Sequence, residues 1–201
     1  QAIMKDVHPP LGYLPFWIWS QIFGTSDMIL RLPSLILGLI SIWLAYKISL
    51  VVAPNRALWG AMAVALMPMH IIYSTEARAY MLLIVLVLVG ILAIIQERPA
   101  WFVVVALLPY THAHGIIYMA ILTVLFFVNK RNLITVAIVI ILALPSLAVI
   151  YVQSSDVADG FWLRQSGLGG VLALIPNALI GGRYPPIFAI ILIPLTFWAC
   201  I

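Results

Sequence analysis

Residues 73–80, with the sequence YSTEARAY, place two charges in the middle of a long apolar stretch. Glu76 and Arg78 are the only Lys, Arg, Asp or Glu residues between Arg56 and Glu97. An ionisable group is costly inside a bilayer, so a rare pair of charges marks either a functional site or a point where the chain leaves the lipid. The sequence on either side decides what kind of fold holds the pair.

The composition of the whole chain is that of a multi-span membrane protein. Of its 201 residues, 65% are hydrophobic and only 8% are charged, and the mean hydropathy is +1.19. A soluble domain of this length needs more charges to cover its surface. We therefore predict an all-α fold, a polytopic membrane helical bundle with interfacial helices on its outer face. No basic run with interleaved aromatic residues occurs, which argues against nucleic-acid binding.

Apolar runs divide the chain into segments of a single transmembrane domain. A helix over residues 9–23 reaches only about 22 Å, less than the roughly 30 Å hydrocarbon core, so we predict an interfacial helix there. Pro109 and Gly115 bracket the sequence YTHAH, which favours two short helices over one long helix. The predicted spans are 32–52, 57–73, 77–96, 100–110, 115–128, 133–152 and 186–201, with an outer loop over 153–185.

Alternation of these spans assigns the connecting segments to two sides. One side receives 47–56, 97–99 and 129–132, and the other receives the N-terminal region, 74–78, 111–114 and 153–184. Each side holds five Lys or Arg residues, so the positive-inside rule does not fix the orientation. Histidines and carboxylates gather on the second side: His8, His70, His112, His114, Asp6, Asp27, Glu76, Asp156 and Asp159.

Two interpretations of residues 73–80 follow from this distribution. In the simpler one they form a solvated turn between antiparallel spans, with Glu76 in the first turn of the second helix, where an acid complements the helix dipole. In the other they belong to a polar pocket at one membrane surface, which holds acids, bases and cations together.

Three stretches of the sequence, taken together, resemble a known family. They are DVHPPLGYLPFWIWSQIFGTSDMILRLPSLILGLI at 6–40, PMHIIYSTEARAYMLL at 68–83 and PYTHAHG at 109–115. In order and spacing they look like the membrane glycosyltransferases of the GT-C superfamily, in the branch related to protein O-mannosyltransferases and aminoarabinose transferases. The resemblance implies a GT-C-like bundle that moves a sugar from a polyprenyl-phosphate donor to a protein, lipid or glycan acceptor. It also implies a place in the plasma (inner) membrane, among membrane lipids, with an extracytoplasmic active face.

The chain departs from this family at one important position. Relatives carry an acidic motif, usually Asp-Glu, early in the first outer loop, and its Asp is the expected general base. This chain begins after that position. We therefore expect a fragment that is inactive by itself.

The expected chemistry gives the charged residues candidate roles. Transfer from a lipid phosphate needs a base on the acceptor hydroxyl and a cation that neutralises the leaving phosphate. Arg78 is the first candidate for the phosphate because a planar guanidinium donates two hydrogen bonds. Arg164 and Arg183 are weaker candidates for the same contact. The resemblance places His8 near the donor phosphate, although a helix-start residue at the interface is an equal alternative.

The remaining candidates are acids, a tyrosine and two histidines. Glu76 matches the second acidic position of the family, where it would bind acceptor or metal or orient the pocket. Asp6 is either a pocket acid or a loop charge, and Tyr80 is either interfacial packing or a ligand. We expect His112 and His114 to be hydrogen-bonding groups of the pocket first and metal ligands second. No cofactor is definite, and a divalent cation such as Mg²⁺ or Mn²⁺ is the alternative.

Two other classes of protein compete with the enzyme. A transporter or flippase for lipid-linked sugars usually shows inverted repeats and broken helices with polar groups at mid-membrane. The charges here gather at one surface, and no internal repeat is visible in the sequence. A non-catalytic membrane scaffold is the third class.

Overall fold

The computed structural model describes residues 9–99, 101–130 and 132–158, with residues 129 and 153–158 described by their backbone alone. This part of the chain is helical and contains no strand, which confirms the predicted all-α class for the described residues. A short 3-10 turn covers Pro54–Arg56. The α-helices are α1 (Pro10–Phe23), α2 (Asp27–Val52), α3 (Ala57–Leu66), α4 (Pro68–Ser74), α5 (Tyr80–Ile95), α6 (Trp101–Thr111), α7 (Gly115–Lys130) and α8 (Leu133–Ala158).

The apolar helices indicate a membrane protein. Helix α2 and residues Leu133–Val152 of α8 are long and apolar enough to cross a bilayer. The segment Pro54–Leu66 and helix α4 are bent relative to each other, and they provide a third crossing if this bent pair counts as one span. Helices α5, α6 and α7 are also apolar but shorter, at 16, 11 and 16 residues. The described part of the chain therefore holds two helices of membrane length, or three with the bent pair.

The predicted span 57–73 is broken at Pro68. Proline has no backbone N–H and disfavours a helical conformation in the residue before it. Accordingly Met67 is extended, with φ −65° and ψ 123°, and Pro68 occupies the first position of α4. The two helices meet at a bend of 63°. The segment predicted as one span over 57–73 therefore consists of two helices.

The predicted span 77–96 begins three residues later than expected, at Tyr80. Residues 75–79 form a turn instead, in which the N–H of Arg78 donates to the carbonyl of Glu76 over 2.9 Å. Glu76 therefore lies before the helix and not in its first turn. The helix-dipole role proposed for its carboxylate at that position was wrong.

The two-helix interpretation of 100–128 agrees with the structure, which has α6, a loop at 112–114 and α7. Gly115 makes the sharp reversal possible, because a Cβ at this position would overlap the carbonyl of Leu108 and the nitrogen of Pro109. The N–H of Gly115 donates to the carbonyl of His112 over 2.8 Å and closes the loop.

Helix α1 is tied to α2 by a hydrogen bond that a proline creates. Pro33 lies inside α2 and has no N–H to offer the carbonyl of Ile29, four residues earlier. The indole Nε1–H of Trp19 donates to that carbonyl over 2.9 Å. The interfacial helix predicted over 9–23 is present as a helix at Pro10–Phe23, and this bond fixes it across the start of α2.

The helices place polar residues at two opposite ends of the bundle. Helix α5 runs from the 75–79 turn to residue 95, and α7 runs from the 112–114 loop to residue 130. We call the end that holds residues 75–79 and 112–114 the site end. The opposite end, where the side chains of Glu97 and Lys130 meet, is the far end. Between them α5 to α8 share an apolar core: Leu83, Trp101, Val105, Ala106, Leu108, Met119, Leu122, Val139 and Ala143.

Candidate functional site

Helix α2 holds the 75–79 turn in place through its first turns. The Nη1 of Arg31 donates to the carbonyl of Thr75 over 2.9 Å, and the Oγ of Ser34 lies 3.5 Å from the carbonyl of Arg78. Both contacts join residues 44 positions apart in the sequence. Carbonyls in a non-helical turn need such partners, because they receive no hydrogen bonds from a helix ladder. The turn that carries Glu76 and Arg78 is thus supported by side chains from a different helix.

Glu76 and Arg78 form a loose ion pair on this turn. The Nε of Arg78 lies 3.7 Å from the Oε2 of Glu76, and the two side chains are 61% and 35% exposed. The Oε2 atom itself is buried and has no hydrogen-bond partner among the described residues, so the exposure of Glu76 lies on its other side-chain atoms. A carboxylate oxygen can accept two hydrogen bonds. This one therefore keeps acceptor capacity that the described residues do not use.

Four aromatic rings form a continuous row beside the turn. The ring centroids of Tyr73 and Tyr80 are 4.4 Å apart, and those of Tyr80 and His112 are 4.8 Å apart. The rings of His112 and His114 stack with centroids 4.8 Å apart and an angle of 23° between their planes. The row joins α4 and α5 to the 112–114 loop. Predicted site residues Tyr80, His112 and His114 are therefore brought together, and Tyr73 joins them.

Helix α1 closes the site from one side. A Cβ on Gly12 would overlap the carbonyl oxygen of Thr111 and lie 2.9 Å from the Cβ of Ala79. The glycine in PPLGY therefore lets the backbone of α1 lie directly against both segments that carry the site. This gives a physical reason for a glycine within the stretch 6–40 on which the family resemblance depends.

Some of the predicted site residues lie outside the described residues. His8 and Asp6 precede residue 9, and Arg164 and Arg183 follow residue 158. The predicted contact of His8 with the phosphate site stays a prediction, as do the roles of the other three.

His70, which the sequence groups with the histidines and carboxylates of the second side, is a hydrogen-bonded residue inside the bundle. It is buried, and its Nε2 lies 2.7 Å from the Oγ of Ser41 on α2. Its place is inside the bundle, next to the break at Pro68.

Arg31 and Tyr73 are site residues that sequence reasoning missed. The signal that could have identified Arg31 is its place in LRLPS, within the stretch 6–40 that carries the resemblance. Tyr73 stood at the edge of YSTEARAY and was treated as part of the preceding span.

The site offers hydrogen-bonding and ionic groups more readily than a metal centre. Among the described residues, no three His, Cys, Asp or Glu side chains are placed to hold one metal ion. What the site presents is a guanidinium, a carboxylate with unused acceptor capacity, phenol rings and two imidazoles. These groups can bind a phosphate, accept hydroxyl protons and pack against a sugar ring.

No protein-family model, curated protein or solved structure matches this chain.

Proposed function

We propose that the intact protein is a membrane glycosyltransferase that moves a sugar from a polyprenyl-phosphate donor to an extracytoplasmic acceptor. The observation that carries the proposal is the arrangement around the 75–79 turn. It presents the exposed guanidinium of Arg78 beside the carboxylate of Glu76, next to a row of aromatic rings. Such a turn supplies a cation for a leaving phosphate and hydrogen-bonding groups for a sugar. The sequence resemblance supports the same activity.

The weak pairing of Arg78 also supports a ligand-binding role. The 3.7 Å contact with Glu76 is too long for a hydrogen bond and engages only Nε. The guanidinium has five N–H donors in a planar fork that matches a phosphate. A polyprenyl phosphate in the membrane presents its head group at the surface, where spanning helices end, and this turn connects the end of α4 to the start of α5.

The test is sugar transfer by the full-length protein from a synthetic polyprenyl-phosphate sugar. Replacement of Arg78 by Ala removes a charge-assisted contact of roughly 1.5–3 kcal/mol, equivalent to about a 10- to 150-fold loss in transfer. We expect Arg78→Lys to keep part of the activity, because it retains the charge without the fork. Lys130→Ala, at the far end, is the matched control and should leave transfer unchanged. Wild-type transfer by Arg78→Ala would contradict the proposal.

A transporter or flippase for lipid-linked sugars is the second candidate, and one observation favours it. The break at Pro68 lies next to a buried polar pair, Ser41 and His70, and Ser41 is close to the middle of α2. Broken helices with polar groups at mid-membrane are typical of transporters. Movement of a fluorescent polyprenyl-phosphate sugar between leaflets of proteoliposomes, without consumption of an acceptor, would favour transport over transfer.

A further inference from the structure

The two histidines of the 112–114 loop form a pair whose hydrogen bonds assign their protons. The backbone N–H of His114 donates to the Nδ1 of His112 over 3.1 Å. The Nδ1 of His114 lies 3.0 Å from that same nitrogen. A ring nitrogen that accepts a backbone N–H does so through its lone pair and therefore carries no proton. In the contact between the rings, His114 is therefore the donor and His112 the acceptor.

This contact fixes where neutral His114 carries its proton. A neutral imidazole holds one proton, and the contact with His112 places it on Nδ1. The Nε2 of His114 is then an unprotonated nitrogen that can accept a proton. His114 is exposed, whereas His112 is only 7% exposed. The exposed ring of His114 thus carries the unprotonated Nε2. The buried ring of His112 orients it, as the partner of a catalytic histidine commonly does.

The surrounding structure holds the orienting ring firmly. The N–H of His112 donates to the carbonyl of Leu108 over 3.3 Å, and its own carbonyl accepts from Gly115 over 2.8 Å. The ring of Tyr80 also packs against it, with centroids 4.8 Å apart. His114 is anchored as well, because its carbonyl accepts the N–H of Ile117 in the first turn of α7 over 3.1 Å.

We propose that His114 is the general base of the site, in place of the upstream Asp that the family resemblance implies, and that His112 is its positioning residue. The proposal rests on the proposed glycosyl transfer. In that reaction the acceptor hydroxyl oxygen bonds to the anomeric carbon, and the bond from that carbon to the phosphate oxygen breaks. Polyprenyl phosphate leaves with the bonding electron pair, and the hydroxyl proton moves to the Nε2 of His114. A positioned base typically contributes about 10²- to 10⁴-fold to the rate.

The first experiment measures the proton positions directly, by nitrogen NMR of the full-length protein labelled with ¹⁵N-histidine in lipid nanodiscs. The spectrum of wild type minus that of His114→Gln assigns the two nitrogens of His114. We expect Nδ1 protonated and Nε2 bare. In His112→Phe, which keeps a ring beside Tyr80 and removes the acceptor nitrogen, His114 should shift towards the tautomer protonated on Nε2. Neutral wild-type His114 protonated on Nε2 would overturn the proposal, whatever the activity.

The second experiment separates catalysis from binding in transfer from a synthetic polyprenyl-phosphate sugar. His114→Gln should lower kcat by roughly 10²- to 10⁴-fold, with little change in the KM for the donor. His112→Phe should lower kcat by less, and Arg78→Ala should also weaken donor binding. If an acid from another segment of the protein is the base instead, His114→Gln should keep the wild-type kcat. That result in an active wild type would overturn the base assignment alone, whereas no transfer by wild type would overturn the proposed function and the base together.

Discussion

In the part of the chain that the structure describes, each end of the bundle holds an ion pair, and the two pairs differ in geometry. At the far end the Nζ of Lys130 lies 2.6 Å from the Oε1 of Glu97, with the side chains 47% and 68% exposed. At the site end the Nε of Arg78 lies 3.7 Å from the Oε2 of Glu76, an atom that is buried without a hydrogen-bond partner among the described residues. The better-formed pair is the one in the more open surroundings.

At the far end the two charged groups contact each other directly, whereas at the site end hydrogen-bonding groups remain for a ligand. An exposed ion pair contributes only about 0.2–1 kcal/mol to stability. A buried carboxylate oxygen without a partner is costly, and a ligand that donates a hydrogen bond to it would remove that cost. Among the described residues the site end thus leaves a carboxylate oxygen without a partner and the far end does not, so we expect the two ends to respond to mutation in opposite ways.

The largest expected effect is an all-or-none difference in labelling between the two ends. On a Cys200→Ser background, Thr75→Cys and Ala113→Cys at the site end should react with an impermeant thiol reagent added outside intact cells. Arg98→Cys, beside Glu97, should react only after the membrane is opened. All three positions are exposed, so access to solvent within the fold does not limit the reaction. Labelling of Arg98→Cys from outside would show that the two ends do not lie on opposite sides of the membrane.

The second prediction compares the two carboxylates. Glu76→Gln should lower sugar transfer by about 10- to 150-fold, because it removes the charge that a ligand contact would use. Its stability should stay the same or rise, since a neutral amide is less costly to bury without a partner than a carboxylate. Transfer assays and thermal unfolding in detergent measure the two quantities.

Glu97→Gln is the control, with the opposite expectation of unchanged transfer and slightly reduced stability. If Glu76→Gln instead loses stability and keeps its transfer activity, the carboxylate is structural and the comparison between the ends fails.

Sequence patterns predicted those parts of the fold that depend on neighbouring residues. Hydrophobic runs located the helices, and Pro109 with Gly115 located the loop at 112–114. A proline without an N–H and a glycine without a Cβ act through their own backbone, so their effects can be read locally. The proximity of Tyr80 to the two histidines of the loop followed from counting spans, which brings alternate connections to the same end.

The rest depends on contacts between distant residues. Arg31 donates to the carbonyl of Thr75, 44 positions away in the sequence. Hydrophobicity alone does not distinguish a helix that starts at residue 77 from one that starts at residue 80. The bond from Trp19 to Ile29 likewise depends on how α1 crosses α2. The pairing of the His112 and His114 rings was not predicted either, because an i, i+2 pair shares a face only in certain turns.

The third prediction concerns the loop that presents the histidines. Gly115→Ala should destabilise the protein by about 1–3 kcal/mol, because the new Cβ overlaps backbone atoms of Leu108 and Pro109, which cannot move aside as a side chain can. It should also lower transfer, since a backbone shift at residue 115 displaces the adjoining His114. Thermal unfolding in detergent and the transfer assay measure both effects.

Gly90→Ala is the matched control for that substitution. A Cβ at Gly90 would meet only the side-chain ends of Leu122 and Val105, at 3.2 and 3.3 Å, within the core of α5 and its neighbours. We expect a smaller loss of stability there and no specific loss of transfer. Equal effects of the two alanines would mean that the 112–114 loop is not held by its glycine.

The smallest effect belongs to the far-end pair, where a double-mutant cycle isolates the interaction. Glu97→Gln, Lys130→Ala and the double variant should give a coupling of about 0.2–1 kcal/mol in detergent, since both side chains are largely exposed. Salt should weaken that coupling, because charges in contact with solvent are screened.

The same cycle with Glu76→Gln and Arg78→Ala should give no more coupling in stability than the far-end cycle, since their atoms lie 3.7 Å apart. In transfer, by contrast, the site-end pair should be strongly non-additive if both residues hold the same ligand. A stability coupling above that of the far end, with additive effects on transfer, would make Glu76 and Arg78 a structural pair and remove the distinction between the two ends.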